Sequence, residues 1–289
     1  MPKSFIFICL IFLSSIKIKA VPLPDSLKIT SVEQLISVSS SDSVKAVTKL
    51  NMDGLFCGGI PDELAKFTNL QELMLNVNQL DSIPEYIGLF KQLKSLELGS
   101  NNGFDLECLF NILSNNPEIE KLYLYNNNIS SIPSNIYKLK NLRILDLGGN
   151  EIRALPSEID SLHYLQSLDL SNNPIEFDTI STAFCNLKSL KRLNLYNCGI
   201  SNWPKHLECL ANIEELIINN NDLTTIPKDI SYLKKLKFLL IVDNKLNSID
   251  ETITELNNLS IILLQGNYGL NQERIEHLKS KMPKCKIIY

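Results

Sequence analysis

The sequence predicts an α/β solenoid in which short parallel strands stack along one face and 3₁₀ or helical turns run along the other. Three observations predict it: an apolar frame recurs ten times, an asparagine holds a fixed place in most frames, and a second apolar half-unit follows many of them. Self-similarity at a constant period is typical of solenoids, because each unit must bury its apolar face against its neighbours. The frames begin at Val47, Leu70, Leu93, Ile119, Leu142, Leu165, Leu190, Ile213, Leu236 and Leu259, and seven of the nine spacings are 23 residues.

Each frame has the pattern of a short strand. In LRILDLGGNEI, residues 142–152, apolar residues recur three and five positions after the first. Side chains alternate between the two faces of a strand, so we expect Leu145 and Leu147 to point into the solenoid and the residues between them to point outward. The ten frames therefore predict ten strands, each paired in parallel with the next.

An asparagine lies eight positions into eight of the ten frames. The chain must leave each strand through a tight bend, where backbone groups would otherwise be buried without partners. An asparagine side chain carries an acceptor and two donors, so it can satisfy those groups from inside. The stacked residues are predicted to form a structural ladder and not a catalytic site: Asn78, Asn101, Asn127, Asn150, Asn173, Asn221, Asn244 and Asn267. Leu55 and Cys198 hold the position in the other two frames.

The frame reads LxxLxLxxNxL, as in LQELMLNVNQL, and the second half-unit reads IPxxIxxLxxL, as in SIPEYIGLFKQL. This pattern resembles the leucine-rich repeat family. The 23-residue units are similar to the Ras-suppressor type, whereas the first unit, GLFCGGIPDELAKFTNL, is closer to the plant extracellular type. The resemblance implies a right-handed horseshoe with a parallel β-sheet on the concave face, short 3₁₀ or helical turns on the convex face, and a role in protein binding.

Four segments are predicted along the chain. Residues 1–20 have a basic start, about a dozen apolar residues and a small residue before Val21, which is typical of a cleaved signal peptide. Residues 21–46 form an N-terminal cap with a helix around SVEQLISV, residues 47–270 form the ten repeats, and residues 271–289 form a C-terminal cap helix and strand. The helical spacing of DLECLFNILSNNP predicts one further helix on the convex side. An uncleaved membrane anchor is the alternative for residues 1–20.

The predicted signal peptide implies a secreted protein, whereas the Ras-suppressor resemblance implies a cytoplasmic scaffold for small GTPase or phosphatase signalling. Secretion is favoured because it rests on a physical segment. Loss of residues 1–20 removes three lysines and no acidic residue, which takes the formal net charge from −4 to −7. Such a surface repels nucleic acid phosphates, and no second apolar run is long enough to span a membrane.

The sequence predicts a binding protein without catalytic activity or a cofactor. Three histidines are present, at 163, 206 and 277, and no glycine-rich phosphate loop, GxSxG or HExxH motif occurs. Nearly all residues are assigned to repeats and caps, which leaves no room for a separate catalytic domain.

Cys185, Cys198, His206 and Cys209 lie within 25 residues of each other. A zinc site is disfavoured, because Cys198 belongs to the predicted ladder while His206 and Cys209 belong to the return segment. A disulfide between Cys185 and Cys209 fits a secreted chain, and two buried thiols are the alternative. The glycosylation motifs at Asn128 and Asn258 are no more frequent than chance predicts.

The outward residues of each strand, two, four and six positions into a frame, are the predicted binding surface. Early and middle frames are acidic with interspersed tyrosines, and late frames are apolar. The candidate partner-binding residues are Tyr123, Tyr125, Asp146, Asp169, Tyr196, Ile217, Phe238, Leu240, Val242, Ile261 and Leu263. The hypothesis is that the apolar residues anchor a protein partner and the acids attract its basic groups. The alternatives are that the C-terminal segment covers the apolar residues or that they pair two copies in a homodimer.

Overall fold

The structure is a computed structural model that describes residues 23–55, 59–101, 103–176 and 181–289. The predicted signal peptide, residues 1–20, lies outside the described residues.

A single parallel sheet dominates the described part of the chain, and its strands follow one another in sequence order. The register advances by one whole frame per strand, so that Leu122, Leu145 and Leu168 are neighbours across three strands. This confirms the predicted solenoid class. The strands are β1 (Ser26–Lys28), β2 (Lys49–Asn51), β3 (Glu72–Met74), β4 (Ser95–Glu97), β5 (Lys121–Tyr123), β6 (Ile144–Asp146), β7 (Ser167–Asp169), β8 (Arg192–Asn194), β9 (Glu215–Ile217), β11 (Phe238–Leu240), β13 (Ile261–Leu263) and β14 (Lys286–Ile288).

Two features of the strand arrangement are absent from the sequence prediction. Strand β1 pairs with β2 and extends the sheet at its N-terminal end. A separate two-residue pairing joins β10 (Thr225–Ile226) to β12 (Ser248–Ile249). Both features follow the 23-residue period, since Leu27 pairs with Leu50 and Ile226 with Ile249, but these segments lie outside the ten predicted strands.

Short 3₁₀ helices form the opposite side of the repeats. Several begin directly after the proline of the IP pair, because the ring fixes φ and the preceding residue is held extended. Pro84 and Pro133 occupy this position with φ of −65° and −72°. The 3₁₀ helices of the described residues are Asp42–Ala46, Asp62–Lys66, Glu85–Leu89, Ser134–Lys138, Ser157–Ser161, Ser181–Asn186, Leu207–Leu210, Lys228–Tyr232 and Glu251–Glu255.

Within the described residues, three α-helices have polar N-caps that the sequence supplies. Helix α1 (Val32–Ser39) is capped by Ser31, α2 (Leu106–Leu113) by Asp105, and α3 (Gln272–Lys281) by Asn271. Each cap side chain accepts a hydrogen bond from a first-turn N–H. Helices α1 and α3 lie at the two ends of the sheet, and α2 lies in the longest repeat, where helical spacing predicted it.

The core is the inward half of every frame. The leucines three and five positions into the middle frames, such as Leu145 and Leu147, are 0% exposed. The isoleucines of the second half-unit, such as Ile136 and Ile159, are buried to the same extent. One continuous apolar core therefore runs from α1 to α3.

Asparagine side chains join successive rungs inside this core. The Asn150 amide oxygen accepts the N–H groups of Asn127 and Ile129, at 2.9 and 3.0 Å, in the preceding rung. Its amide nitrogen donates to the carbonyl of Leu124 in that rung, at 3.0 Å, and to Leu147 in its own, at 2.8 Å. The eight ladder asparagines are all at most 7% exposed.

Cys198 interrupts the ladder. Its Sγ donates to the Leu170 carbonyl at 3.2 Å, which replaces one bond of the asparagine amide nitrogen. The cysteine side chain has no oxygen that could accept N–H groups of the preceding rung. The Ile175 N–H, which would bond to that oxygen, instead donates to the Asn173 carbonyl at 2.9 Å. The backbone thus rearranges locally where the asparagine is missing.

The residue before each ladder position is left-handed in every repeat, which the sequence analysis did not anticipate. Glycine, asparagine, aspartate or serine holds the place in nine repeats. Of these four residue types, glycine and asparagine tolerate positive φ best. Val77 is the exception, with φ of 60°. The positions are Gly54, Val77, Ser100, Asn126, Gly149, Asn172, Asn197, Asn220, Asp243 and Gly266.

We expect Asn150→Ala to lower the free energy of unfolding by about 1 to 3 kcal/mol, because two N–H groups and two carbonyl groups lose a buried partner. Chemical denaturation measures the change. The control is Asn257→Ala, since the exposed Asn257 side chain makes no hydrogen bond to the described residues. Equal, small losses in the two variants would show that the ladder does not stabilise this rung.

Candidate functional site

The concave face consists of three rows of outward side chains, which lie two, four and six positions into each frame. The sheet register places residues of one row directly opposite each other on neighbouring strands. The central row changes from polar and acidic to apolar along the sheet. Its members are Lys28, Asn51, Met74, Glu97, Tyr123, Asp146, Asp169, Asn194, Ile217, Leu240, Leu263 and Ile288.

Four carboxylates form an acidic strip on this face, Asp53, Glu97, Asp146 and Asp169. Asp146 and Asp169 are directly opposite on β6 and β7. None of the four makes an ion pair with another described residue. Like charges directly opposite each other in a sheet are destabilising, so this arrangement costs the fold stability.

Hydrogen bonds hold the carboxylates of the strip in place. Asp169 accepts from the N–H and Oγ of Ser171, at 2.9 and 2.6 Å, and from Asn194 Nδ2 at 2.6 Å. Asp146 accepts from the Gly148 N–H at 3.0 Å. Burial raises the pKa of the Asp146 carboxyl, and the neighbouring Asp169 charge raises it further, although the Gly148 bond opposes the shift.

Tyr123 and Tyr125 lie within this strip and are half-buried. Burial, followed by the charge of Glu97, raises the pKa of both phenols, so both are neutral donors at neutral pH. The Tyr125 ring lies over Gly99, because a Cβ on that glycine would stand 2.2 Å from the ring. The glycine therefore allows the ring to cover the neighbouring rung.

The predicted apolar residues are brought together on the last strands, but they are less open than expected. Phe238 is 37% exposed, whereas Ile217 is only 9% exposed and belongs with the buried residues. This corrects the expectation that Ile217 faces water, since its neighbours Asn194 and Leu240 flank it on both sides. Leu240, Val242, Ile261 and Leu263 are half-buried.

The C-terminal segment extends this apolar surface. Strand β14 pairs edge to edge with β13, so it does not fold back over the face, and it places Ile288 beside Leu263. Sequence reasoning missed Ile288 because CKIIY lies outside the repeat frame. We name the whole set the apolar patch: Ile217, Phe238, Leu240, Val242, Ile261, Leu263 and Ile288.

Ion pairs in the flanking row were also missed. Lys49 pairs with Glu72 at 3.0 Å, and Arg192 pairs with Glu215 at 3.2 Å, each across neighbouring strands. The signal was present, because all four residues lie two positions into their frames. These pairs show that the face can neutralise carboxylates where a basic residue is opposite, which it does not do in the acidic strip.

The cysteine and histidine group does not converge. Cys185 and Cys209 form a disulfide, with Cα atoms 4.2 Å apart, and Cys198 is buried in the ladder. His206 contacts the exposed Glu208 at 3.1 Å. Across the part of the chain that the structure describes, no group of three or more His, Cys, Asp or Glu side chains has an arrangement that could hold a metal ion.

Comparison with known proteins agrees with this architecture. Residues 126–225 match the family model described as a leucine-rich repeat region. A solved internalin from Listeria monocytogenes aligns over 87% of this chain and 76% of its own, with a TM-score of 0.61 and 21% identity. The described residues have the leucine-rich repeat fold, and residues 126–225 are similar to the leucine-rich repeat region of that family model.

Two curated relatives and one receptor structure are similar to this chain. Osteomodulin from Bos taurus is 34% identical over 140 residues, which are 46% of this chain and 32% of the relative. Asporin from Bos taurus is 34% identical over 94 residues, 32% of this chain and 24% of the relative. The match thus spans at most about a third of each curated relative. The plant peptide hormone receptor RGFR1, in complex with RGF2, aligns over 85% of this chain and 47% of its own, with 25% identity and a TM-score of 0.57.

Among the described residues, no helix has the length and apolar character needed to cross a membrane.

We expect Asp146→Asn to raise the melting temperature at pH 7 by a few degrees at most, because the amide keeps the Gly148 bond without the buried charge. Because the pKa of Asp146 is raised in the folded state, the folded protein binds this proton more tightly than the unfolded chain does. Wild-type stability therefore falls as the pH rises through the unfolded-state pKa and then the folded-state pKa of Asp146. The advantage of the variant should therefore vanish near about pH 3, below the ordinary aspartate pKa. Thermal unfolding from pH 3 to 8 measures the difference in melting temperature between wild type and variant. Asp81→Asn, at an exposed turn, is the charge control. A gap that widens toward low pH would contradict the assignment.

Proposed function

We propose that this leucine-rich repeat protein is a non-enzymatic recognition module that binds a protein partner on its concave face. The observation that carries the proposal is the combination of the apolar patch with unpaired carboxylates on the same sheet. Apolar side chains that form a contiguous group and remain partly exposed are typical of binding surfaces. Carboxylates that make no ion pair within the fold are available to the basic groups of another protein.

Two further observations support a binding role. RGFR1, which is similar over most of this chain, is a peptide hormone receptor in complex with RGF2. The histidines that could act as acids or bases lie elsewhere, since His206 and His277 pair with the glutamates Glu208 and Glu251 outside the concave rows. The concave face therefore has the character of a recognition surface and not of a catalytic cleft.

We further propose that the protein is secreted. The signal-like character of residues 1–20 supports this, and so does the Cys185–Cys209 disulfide, since such bonds persist in oxidising compartments. The alternative is an intracellular, Ras-suppressor-like signalling scaffold or a regulator of a phosphatase or GTPase, which the 23-residue units favour.

Expression of the full chain in a secreting eukaryotic cell should release protein that begins at or near Val21. Mass spectrometry of the purified protein, before and after reduction, measures both the N-terminus and the disulfide. Retention of Met1 on a cytosolic protein with free Cys185 and Cys209 thiols would overturn secretion and favour the intracellular scaffold.

Phe238→Glu and Leu240→Glu should each abolish partner binding, because a carboxylate replaces an apolar anchor. Both should leave the melting temperature within a few degrees, because both side chains retain access to water. Leu239→Glu is the contrasting variant, since Leu239 is 0% exposed and its replacement should unfold the protein. The control is Leu89→Glu, a residue that is 69% exposed in the convex 3₁₀ helix Glu85–Leu89.

The binding readout is selection of partners from a display library of extracellular proteins, followed by surface plasmon resonance with the purified hits. Hits that bind the wild type and Leu89→Glu, but not Phe238→Glu or Leu240→Glu, support the concave face. Hits that bind all four proteins equally, or an unfolded Phe238→Glu, would contradict it.

A further inference from the structure

We propose that the concave face recognises an extended peptide segment of its partner that carries a basic residue about four to six positions from a large apolar residue. This inference rests on the proposed function and names the partner chemistry. It follows from three properties of the face: the unpaired acids, the apolar patch, and the distance that the sheet sets between them.

The acidic strip is the cationic end of the site. Asp146 and Asp169 lie directly opposite on adjacent strands, with no basic side chain within ion-pair distance among the described residues. The charge of Arg192 partly opposes the raised pKa of Asp146, but this arginine forms its ion pair with Glu215, at 3.2 Å. An incoming lysine or arginine would relieve the repulsion between the two carboxylates. Removal of this unfavourable electrostatic energy of the free protein would favour binding.

One tyrosine beside the carboxylates makes this end selective for a cation on a side chain. Tyr123 is directly opposite Asp146, whereas the Tyr125 ring lies over Gly99 on the other side of β5, toward Glu97. A guanidinium or ammonium group held by the carboxylates would also contact an aromatic face, which attracts cations.

The apolar patch is the other end of the site. Phe238 and Ile261 are neighbours in one row, and Leu240 lies between Ile217 and Leu263 in the next. Asn194 separates this patch from Asp169 in the central row. One apolar side chain of a peptide can therefore be buried here without contacting the acids.

The sheet fixes the distance between the two ends. Asp169 on β7 and Leu240 on β11 are three strands apart, and Asp146 on β6 is four strands from Leu240. At about 4.8 Å per strand these separations are about 14 and 19 Å. An extended chain advances about 3.3 Å per residue, so about four to six residues connect the two contacts.

Selection of a random twelve-residue peptide display library on the wild-type protein tests the proposal. We expect the selected peptides to share an arginine or lysine about four to six positions from an aromatic or large aliphatic residue. A selected synthetic peptide should bind the Asp146→Asn/Asp169→Asn double variant about tenfold more weakly and lose measurable binding to Leu240→Glu. High salt should weaken its binding to the wild type more than to the double variant.

The matched control is Asp62→Asn/Asp81→Asn, which removes the same charge from exposed positions outside the concave rows and should leave the peptide affinity unchanged. Circular dichroism and melting curves establish that each variant is folded. Insertion of four glycines between the basic and the apolar residue of the peptide should weaken binding about as much as loss of the basic residue.

The outcomes separate this inference from the proposed function. Peptides that depend on Leu240 but show no basic residue at the expected spacing would overturn the inference and leave the concave binding face intact. The selection could also give no peptide that binds through the concave face, while protein partners still bind through Leu240. That outcome would likewise overturn the inference and leave the concave binding face intact. A wild-type homodimer that Leu240→Glu dissociates in sedimentation would show that a second copy occupies the patch, and would also overturn it.

Discussion

The structure depends on how the chain leaves each strand. At that bend the backbone turns away from the sheet within the apolar core, and N–H and carbonyl groups would lose water without finding a partner. The asparagine ladder meets this constraint, since Asn150 accepts from two N–H groups of the preceding rung and donates to a carbonyl in each of two rungs. A left-handed residue just before it completes the turn, even where that residue is the unfavourable Val77.

Because the ladder joins neighbouring rungs at the same position, it also aligns the outward side chains. A residue four positions into its frame is directly opposite the equivalent residues before and after it. Residues at the same frame position in successive repeats therefore form one row across the sheet. A change in residue type from repeat to repeat becomes a change in surface chemistry along that row. The passage from Asp146 and Asp169, through Asn194, to Leu240 and Leu263 is such a change.

The concave face combines a stabilised scaffold with local unfavourable contacts. Lys49 with Glu72 and Arg192 with Glu215 show that opposite charges occur across neighbouring strands of this sheet. In the acidic strip the same geometry brings two carboxylates together, and burial raises the pKa of Asp146. The ladder and the leucine core tolerate this cost because they lie on the other side of the strands, out of contact with the outward row. Because the core and the ladder do not contact the outward rows, the side chains of the concave face are free to be specific for a partner.

The sequence by itself determined the repeat period, the inward leucines, the ladder asparagines, the capping helices and the pairing order of the repeat strands. Each of these follows from local patterns such as LxxLxLxxNxL and from the alternation of side chains on a strand, so no distant contact had to be known. Only the tertiary structure decided that β1 and β14 extend the sheet, that Ile288 joins the apolar patch and that Ile217 is buried, because these depend on which segments lie side by side. The same holds for the unpaired state of Asp146 and Asp169 and for the ring of Tyr125 over Gly99, since side-chain partners across rungs depend on rotamers and packing that periodicity does not encode.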